Sequence, residues 1–187
     1  MSFSVLFVCT GNICRSPVAE KLFRDRMAPD ADVVVSSAGT SGLTGWGIDR
    51  PSAVALRELG VDPDGHYARR VDAAILRACD LVLAASDEHR GMMLRAEPSM
   101  ISKTFTLREF GRLAHDAPHT PTPIATDADH LRACVKVIAG RRGVAAAPAA
   151  GADDIGDPYG ASLDVARATV AEIAAAVDVA LIALSLN

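Results

Sequence analysis

The stretch Ser4-Val5-Leu6-Phe7-Val8-Cys9-Thr10-Gly11-Asn12-Ile13-Cys14-Arg15-Ser16-Pro17 decides how the chain is read. Ser4 to Val8 is a short apolar run of the kind that forms a buried strand. Pro17 suits the first turn of a helix, where its missing N–H is no loss, and Ser16 suits the cap before it. Val18, Leu22 and Phe23 then fall on one side of a helix predicted from Ser16 to Met27. A strand therefore runs through the loop from Cys9 to Ser16 directly into a helix.

The same alternation continues outward. Val33 to Ser36 reads as a second strand, and Pro51 to Leu59 as a helix stopped by Gly60. Leu81 to Ala84 is a third strand, after which Ser86 caps a helix toward Arg95. Lys103 to Thr106 is a fourth strand, and Ala161 to Leu186 a long closing helix. Strands alternating with helices predict an α/β fold: a central four-stranded parallel sheet with helices on both faces. Ligands in such folds bind beyond the carboxyl ends of the strands, and the first strand ends at Cys9.

One segment breaks the rhythm. From about 111 to 151 the chain carries His119-Thr-Pro-Thr-Pro123, a helix-like stretch from Asp127 to Ile138, and an Ala/Pro/Gly run from Val144 to Gly151. Leu131, Cys134, Val135 and Ile138 line one face of that stretch, the pattern of a helix packed on a core. The segment is read as an atypical insertion within a single domain spanning 1–187.

Composition bounds the rest. Half of the 187 residues are apolar and 22% are charged, as in an ordinary globular protein. A net charge of −4 gives no basic surface for nucleic acid, so any anion site must be local. The opening apolar run has no basic flank and is too short for a secretory signal, and Glu172 and Asp178 interrupt the apolar tail. No membrane insertion and a cytoplasmic location are expected. Cys9, Cys14, Cys79 and Cys134 form no CxxC pair and the histidines are scattered, which predicts reduced thiols and no metal or other cofactor.

The loop itself carries chemistry. A helix start presents free N–H groups and the positive end of the dipole, and a loop wrapped over it cradles an anion. Gly11 and Asn12 tolerate the left-handed backbone such a loop needs. Arg15 can hold phosphate oxygens with two parallel hydrogen bonds. A cysteine facing a helix start and a guanidinium is of the type that reacts as the nucleophilic thiolate, and Ser16 is placed to hydrogen-bond it.

VLFVCTGNICRSPVAE, with SAGT at Ser37 to Thr40, His66-Tyr-Ala-Arg69 and Asp157-Pro-Tyr159, resembles the low-molecular-weight protein-tyrosine-phosphatase family. The similarity runs from Ser4 to about Gly111 and resumes near Asp153. The resemblance implies Cys9 as nucleophile, Arg15 as phosphate ligand and Asp157 as general acid. The loop residues Thr10, Gly11, Asn12, Ile13, Cys14 and Ser16 would contact substrate. Trp46 and Tyr159 would wall the pocket, with Ser37 and His66 bracing the loop. Ile13 fits the tyrosine-phosphatase pattern, where arginine-phosphatase relatives carry threonine. In the family, the second cysteine can pair with the nucleophile, which would make Cys14 a guard against irreversible oxidation.

The implied partner is a phosphotyrosine-containing protein, and the implied assembly a monomer or weak homodimer. Two other functions compete. A thioredoxin-coupled arsenate reductase shares a similar loop but needs further cysteines close together downstream, whereas Cys79 and Cys134 stand apart. A non-catalytic phosphotyrosine- or anion-binding module would show a damaged nucleophile, arginine or acid, and all three are present.

Overall fold

The computed structural model describes residues 2–115, 128–146 and 148–186. The HTPTP run lies outside them. Strand β1 (Phe3–Cys9) leads to helix α1 (Arg15–Arg26), then β2 (Val33–Gly39), α2 (Arg50–Glu58), α3 (Ala73–Arg77) and β3 (Leu81–Ala84). Helix α4 (Asp87–Ala96) and a 3-10 turn (Pro98–Ser102) lead to β4 (Thr104–Thr106). Helices α5 (Leu107–His115), α6 (Ala128–Gly140) and α7 (Leu163–Ala183) complete the described chain.

The four strands form one sheet in the order β2-β1-β3-β4, and every pairing is parallel. The period of two along β1 explains why the sheet is covered twice. Phe3, Val5 and Phe7 enter the larger core with Val18, Leu22 and Phe23 of α1 and Ile173 and Val177 of α7. Leu6 and Val8 enter a smaller core with Leu76, Met93 and Met100. This is the expected α/β fold with helices on both faces.

The chain leaves β1 to form β2 on one side and returns to form β3 on the other. That reversal opens a crevice at the carboxyl ends of β1 and β3, the position where such sheets bind ligands. Cys9 ends β1, and the turn from Ala85 to Ser86 follows β3. The Ala85 N–H donates to the Val8 carbonyl at 2.8 Å, tying the two ends together.

Some local expectations are corrected. Helix α1 begins at Arg15, with Cys14 in the cap position and no side-chain cap bond. Ser16 is therefore not the cap, because its hydroxyl turns toward Cys9 and Asn12 instead. Helix α5 was not anticipated, although its start is a reciprocal capping box. The Glu109 N–H donates to Thr106 Oγ1 at 3.0 Å, and the Thr106 N–H donates to the Glu109 carboxylate at 3.2 Å. Ser86 does cap α4, and Gly60 ends the turn after α2 with φ of 82°.

Helix α6 packs on the domain through buried Leu131, Val135 and Ile138, with Cys134 half-buried beside them. Arg132 anchors it to Asp80, and Arg142, just past its end, reaches Glu109 and lies 4.0 Å from the Phe105 ring centroid. Among the described residues, no helix is long and apolar enough to cross a membrane.

Candidate active site

The loop from Cys9 to Ser16 is fixed by its carbonyls. Those of Cys9, Thr10 and Gly11 accept the N–H groups of Thr40, Ser41 and Leu43 at 2.9, 3.0 and 3.0 Å. The Asn12 carbonyl meets His66 Nε2 at 2.7 Å, and the Ile13 carbonyl accepts the Asp49 N–H at 2.8 Å. All five carbonyls are thus turned outward into the fold. In a trans peptide the following N–H points the opposite way, and the described chain has no cis bonds. The amides of residues 10 to 14 are therefore aimed inward, toward the free N–H groups at the start of α1. A converging set of donors of this kind can cradle an anion.

Asn12 is the loop residue with a left-handed backbone, at φ of 57°. Its side-chain N–H₂ donates to Ser16 Oγ and to Ser37 Oγ, both at 2.9 Å, and its Oδ1 accepts the Arg69 N–H at 2.9 Å. Ser37 in turn donates to Glu20 at 2.5 Å. Gly11 has no positive φ; its smallness serves packing, since a Cβ there would stand 3.3 Å from the Ile13 side chain. Gly39, at the end of β2, is more constrained. A Cβ on it would stand 2.3 Å from the Thr10 carbonyl oxygen, closer than atoms can approach.

At the cradle's base, Cys9 Sγ lies 3.0 Å from Ser16 Oγ. Arg15 is buried, with 7% of its side chain exposed. It donates to the Ile155 carbonyl at 3.1 Å and to Asp157 Oδ2 at 2.7 Å. Its Nε is buried and has no hydrogen-bond partner among the described residues. An orphan donor of that kind is one that a bound anion would satisfy.

Asp157 is half-exposed, and its Oδ1 accepts the Tyr159 N–H at 3.2 Å. The loop before it is tied down at several points. Ile155 N–H donates to the Ala85 carbonyl at 2.8 Å, Asp154 accepts the Asp87 N–H at 2.7 Å, and Asp153 pairs with Arg112 at 2.6 Å. The carboxylate is therefore delivered to the cradle from the far end of the chain.

Trp46 and Tyr159 are exposed at 61% and 63%. Trp46 closes a turn onto Leu43, which itself binds the Gly11 carbonyl, so its backbone stands beside the loop. Tyr67, next to His66, is a third exposed aromatic that sequence reasoning passed over. Cys14 is buried, and its thiol is pushed well above the ordinary range, first by burial and then by the negative charge of Asp49. Both Cys9 and Cys14 are free thiols.

Sequence reading gave no role to Arg69, which it quoted only as part of the resemblance, and missed Asp49 and His89. His89 is buried against Thr10 at 2.8 Å and Ser86 at 2.5 Å. Among the described residues, no cluster of His, Cys, Asp or Glu could hold a metal ion.

The fold is a parallel α/β sheet with Cys9 at the base of a candidate anion site. The sequence model of the family described as "Low molecular weight phosphotyrosine protein phosphatase" matches residues 4–147, and the chain belongs to that family. The match extends well into the 111–151 segment and stops short of Asp157. The low molecular weight protein-tyrosine-phosphatase Etp of Escherichia coli (strain K12) is 41% identical over 101 residues. That alignment covers 54% of this chain and 66%, just under two thirds, of the relative. A protein-arginine-phosphatase of Geobacillus stearothermophilus is 33% identical over 110 residues, covering 59% of this chain and 72% of that one. The crystal structure of Erwinia amylovora tyrosine phosphatase AmsI superposes with a TM-score of 0.71 at 25% identity, covering 99% of this chain and 95% of the other.

Proposed function

We propose that the protein is a tyrosine phosphatase that hydrolyses aryl phosphate monoesters through a cysteinyl-phosphate intermediate. The observation that carries the reading is the convergence of Cys9 Sγ, the inward amides and Arg15 at one cradle, with Asp157 on its rim.

In the first step Cys9 Sγ attacks phosphorus in line, forming the S–P bond as the P–O bond to the aryl group breaks. The loop amides and Arg15, its unpartnered Nε included, hold the remaining phosphate oxygens. Asp157, protonated, gives its proton to the departing phenolate. In the second step water attacks phosphorus, Asp157 takes its proton, and Cys9 is released with inorganic phosphate. The loop and Arg15 supply the charge stabilisation, so the chemistry needs no cofactor.

Two features favour an aryl ester over phosphoarginine, the substrate class named by one relative. Ile13 is a branched apolar residue in the loop, and Trp46, Tyr67 and Tyr159 are exposed aromatics of the kind that wall a phenyl ring. The physiological substrate is accordingly proposed to be a phosphotyrosine-containing protein.

The test is turnover of p-nitrophenyl phosphate, a phosphotyrosine peptide and free phosphoarginine, by wild type and by Cys9→Ser. The expected result is hydrolysis of the first two, abolished by Cys9→Ser. Aryl phosphatase activity that survives Cys9→Ser, or a preference for phosphoarginine, overturns the reading.

A further inference from the structure

We propose that His89 is a positioning residue of the anion cradle: acting through the Thr10 hydroxyl, it fixes the peptide that aims the Gly11 N–H at the phosphate. The inference rests on the reading of the Cys9–Ser16 loop as a phosphate site.

The sheet order brings His89 there. Strand β3 lies beside β1, so the start of α4 stands against the turn that follows Cys9. His89 is only 5% exposed, and both ring nitrogens are engaged. Nε2 lies 2.8 Å from Thr10 Oγ1, and Nδ1 lies 2.5 Å from Ser86 Oγ, the hydroxyl that caps α4. A neutral imidazole has one donor and one acceptor, and a hydroxyl can take either part, so both contacts are satisfied in either tautomer.

Burial disfavours the charged form of the ring. Burial and the Arg15 guanidinium push its pKa below the ordinary histidine value, while Glu88, Asp157 and Asp154 oppose them without prevailing.

Thr10 is thereby held on two sides, at its carbonyl by the Ser41 N–H and at its hydroxyl by His89. The peptide between Thr10 and Gly11 is left little freedom to rotate. In the mechanism above, His89 touches neither substrate nor reacting atoms; its effect is on how well the cradle is preformed.

Two substitutions separate this role from simple packing. His89→Gln can place an amide near the position of Nε2 and keep the Thr10 contact. His89→Asn reaches only about as far as Nδ1, keeping Ser86 and losing Thr10. Inorganic phosphate is titrated calorimetrically, which reads the cradle without turnover, and p-nitrophenyl phosphate kinetics are measured alongside. His89→Asn is expected to weaken phosphate binding about threefold to tenfold, the worth of one hydrogen bond, and to raise KM by a similar factor with a smaller effect on kcat. His89→Gln is expected to stay within about twofold of wild type.

Thr10→Val should match His89→Asn, and the double variant should be no worse than either single one. Phosphate binding unchanged in Thr10→Val, losses that multiply in the double variant, or a Gln variant as weak as Asn would each overturn the proposal. If the His89 variants fail to fold, Thr10→Val alone decides it. An inactive wild type that binds phosphate refutes the phosphatase reading and leaves the His89 test standing.

Discussion

Arg15 and Asp157 are joined at 2.7 Å although 142 positions separate them in the chain. The pair closes the site by linking the start of α1 to the loop before α7. The cation assigned to phosphate and the carboxyl assigned to the leaving group are held in one contact.

Asp157→Asn is expected to lower kcat for aryl phosphates by about a hundredfold or more, the usual worth of a general acid. The loss should shrink for esters with highly acidic leaving groups, which depart without a proton. Cleavage of a phenyl phosphate series, plotted against leaving-group pKa, checks this. Equal losses across the series would assign Asp157 a purely structural part through Arg15.

Gly39→Ala should damage both stability and the cradle. The added methyl would meet the Thr10 carbonyl oxygen at 2.3 Å, and that oxygen belongs to backbone already bonded to the Ser41 N–H. Overpacking of this kind costs about 1–3 kcal/mol. Urea denaturation should show the lowered midpoint, and phosphate titration the weaker binding. Gly45, where a Cβ meets nothing within 4 Å, has a φ of 85°, so its alanine variant tests backbone strain without a clash.

Acid stability should depend on Asp80. Burial opposes its ionisation, but hydrogen bonds from Arg132 and Ser4 outweigh burial and hold its carboxyl below the ordinary aspartate value. A depressed carboxyl contributes stability that is present above its unfolded pKa and is lost as pH falls through the folded one. The stability gap between wild type and Asp80→Asn should therefore narrow as pH is lowered from about 6 toward about 3. Thermal melts across that range measure it. A gap independent of pH would mean that the Asp80–Arg132 pair does not fasten α6 to the start of β1 electrostatically.

Alkylation should discriminate among the thiols. Burial and Asp49 raise Cys14, and burial, chiefly, pushes Cys79 up to about 11. Iodoacetamide near neutral pH is expected to modify Cys9 and spare both. Peptide mass mapping after limited reaction reads the order directly, and prior incubation with inorganic phosphate should protect Cys9. Asp49→Asn should make Cys14 more reactive by removing a negative charge beside it.

What could be read in the sequence was what lies close together in it. The Cys9–Ser16 loop, its strand and its helix are contiguous, so the strand, the Gly-Asn pair and the Arg-Ser-Pro helix start could be read together as one candidate anion loop. Asp157 was named as the acid through the family resemblance of Asp157-Pro-Tyr159, and in the structure its carboxylate meets Arg15. His89 was not legible, since its partner Thr10 is 79 positions away and a lone histidine after a cap has no pattern of its own. Arg69 and Asp49 were given no role for a related reason, because each bonds the loop through its backbone N–H, a group that nearly every residue type carries. Ser16 was misread because capping is judged from residue type, whereas here Asn12 and Cys9 claim the hydroxyl. The place of α6 depended on Arg132, Arg142 and their carboxylates, which in the sequence are merely charged residues scattered along the chain.

Asn12 has a consequence for timing. Both hydrogens of its amide and its carbonyl oxygen are engaged, with Ser16, Ser37 and Arg69, so its side chain has nothing left to offer an incoming phosphate. Its unusual backbone conformation is thus settled during folding and not during catalysis. A substrate meets a receptor whose disorder has already been removed, and little of its binding energy is diverted to building the site.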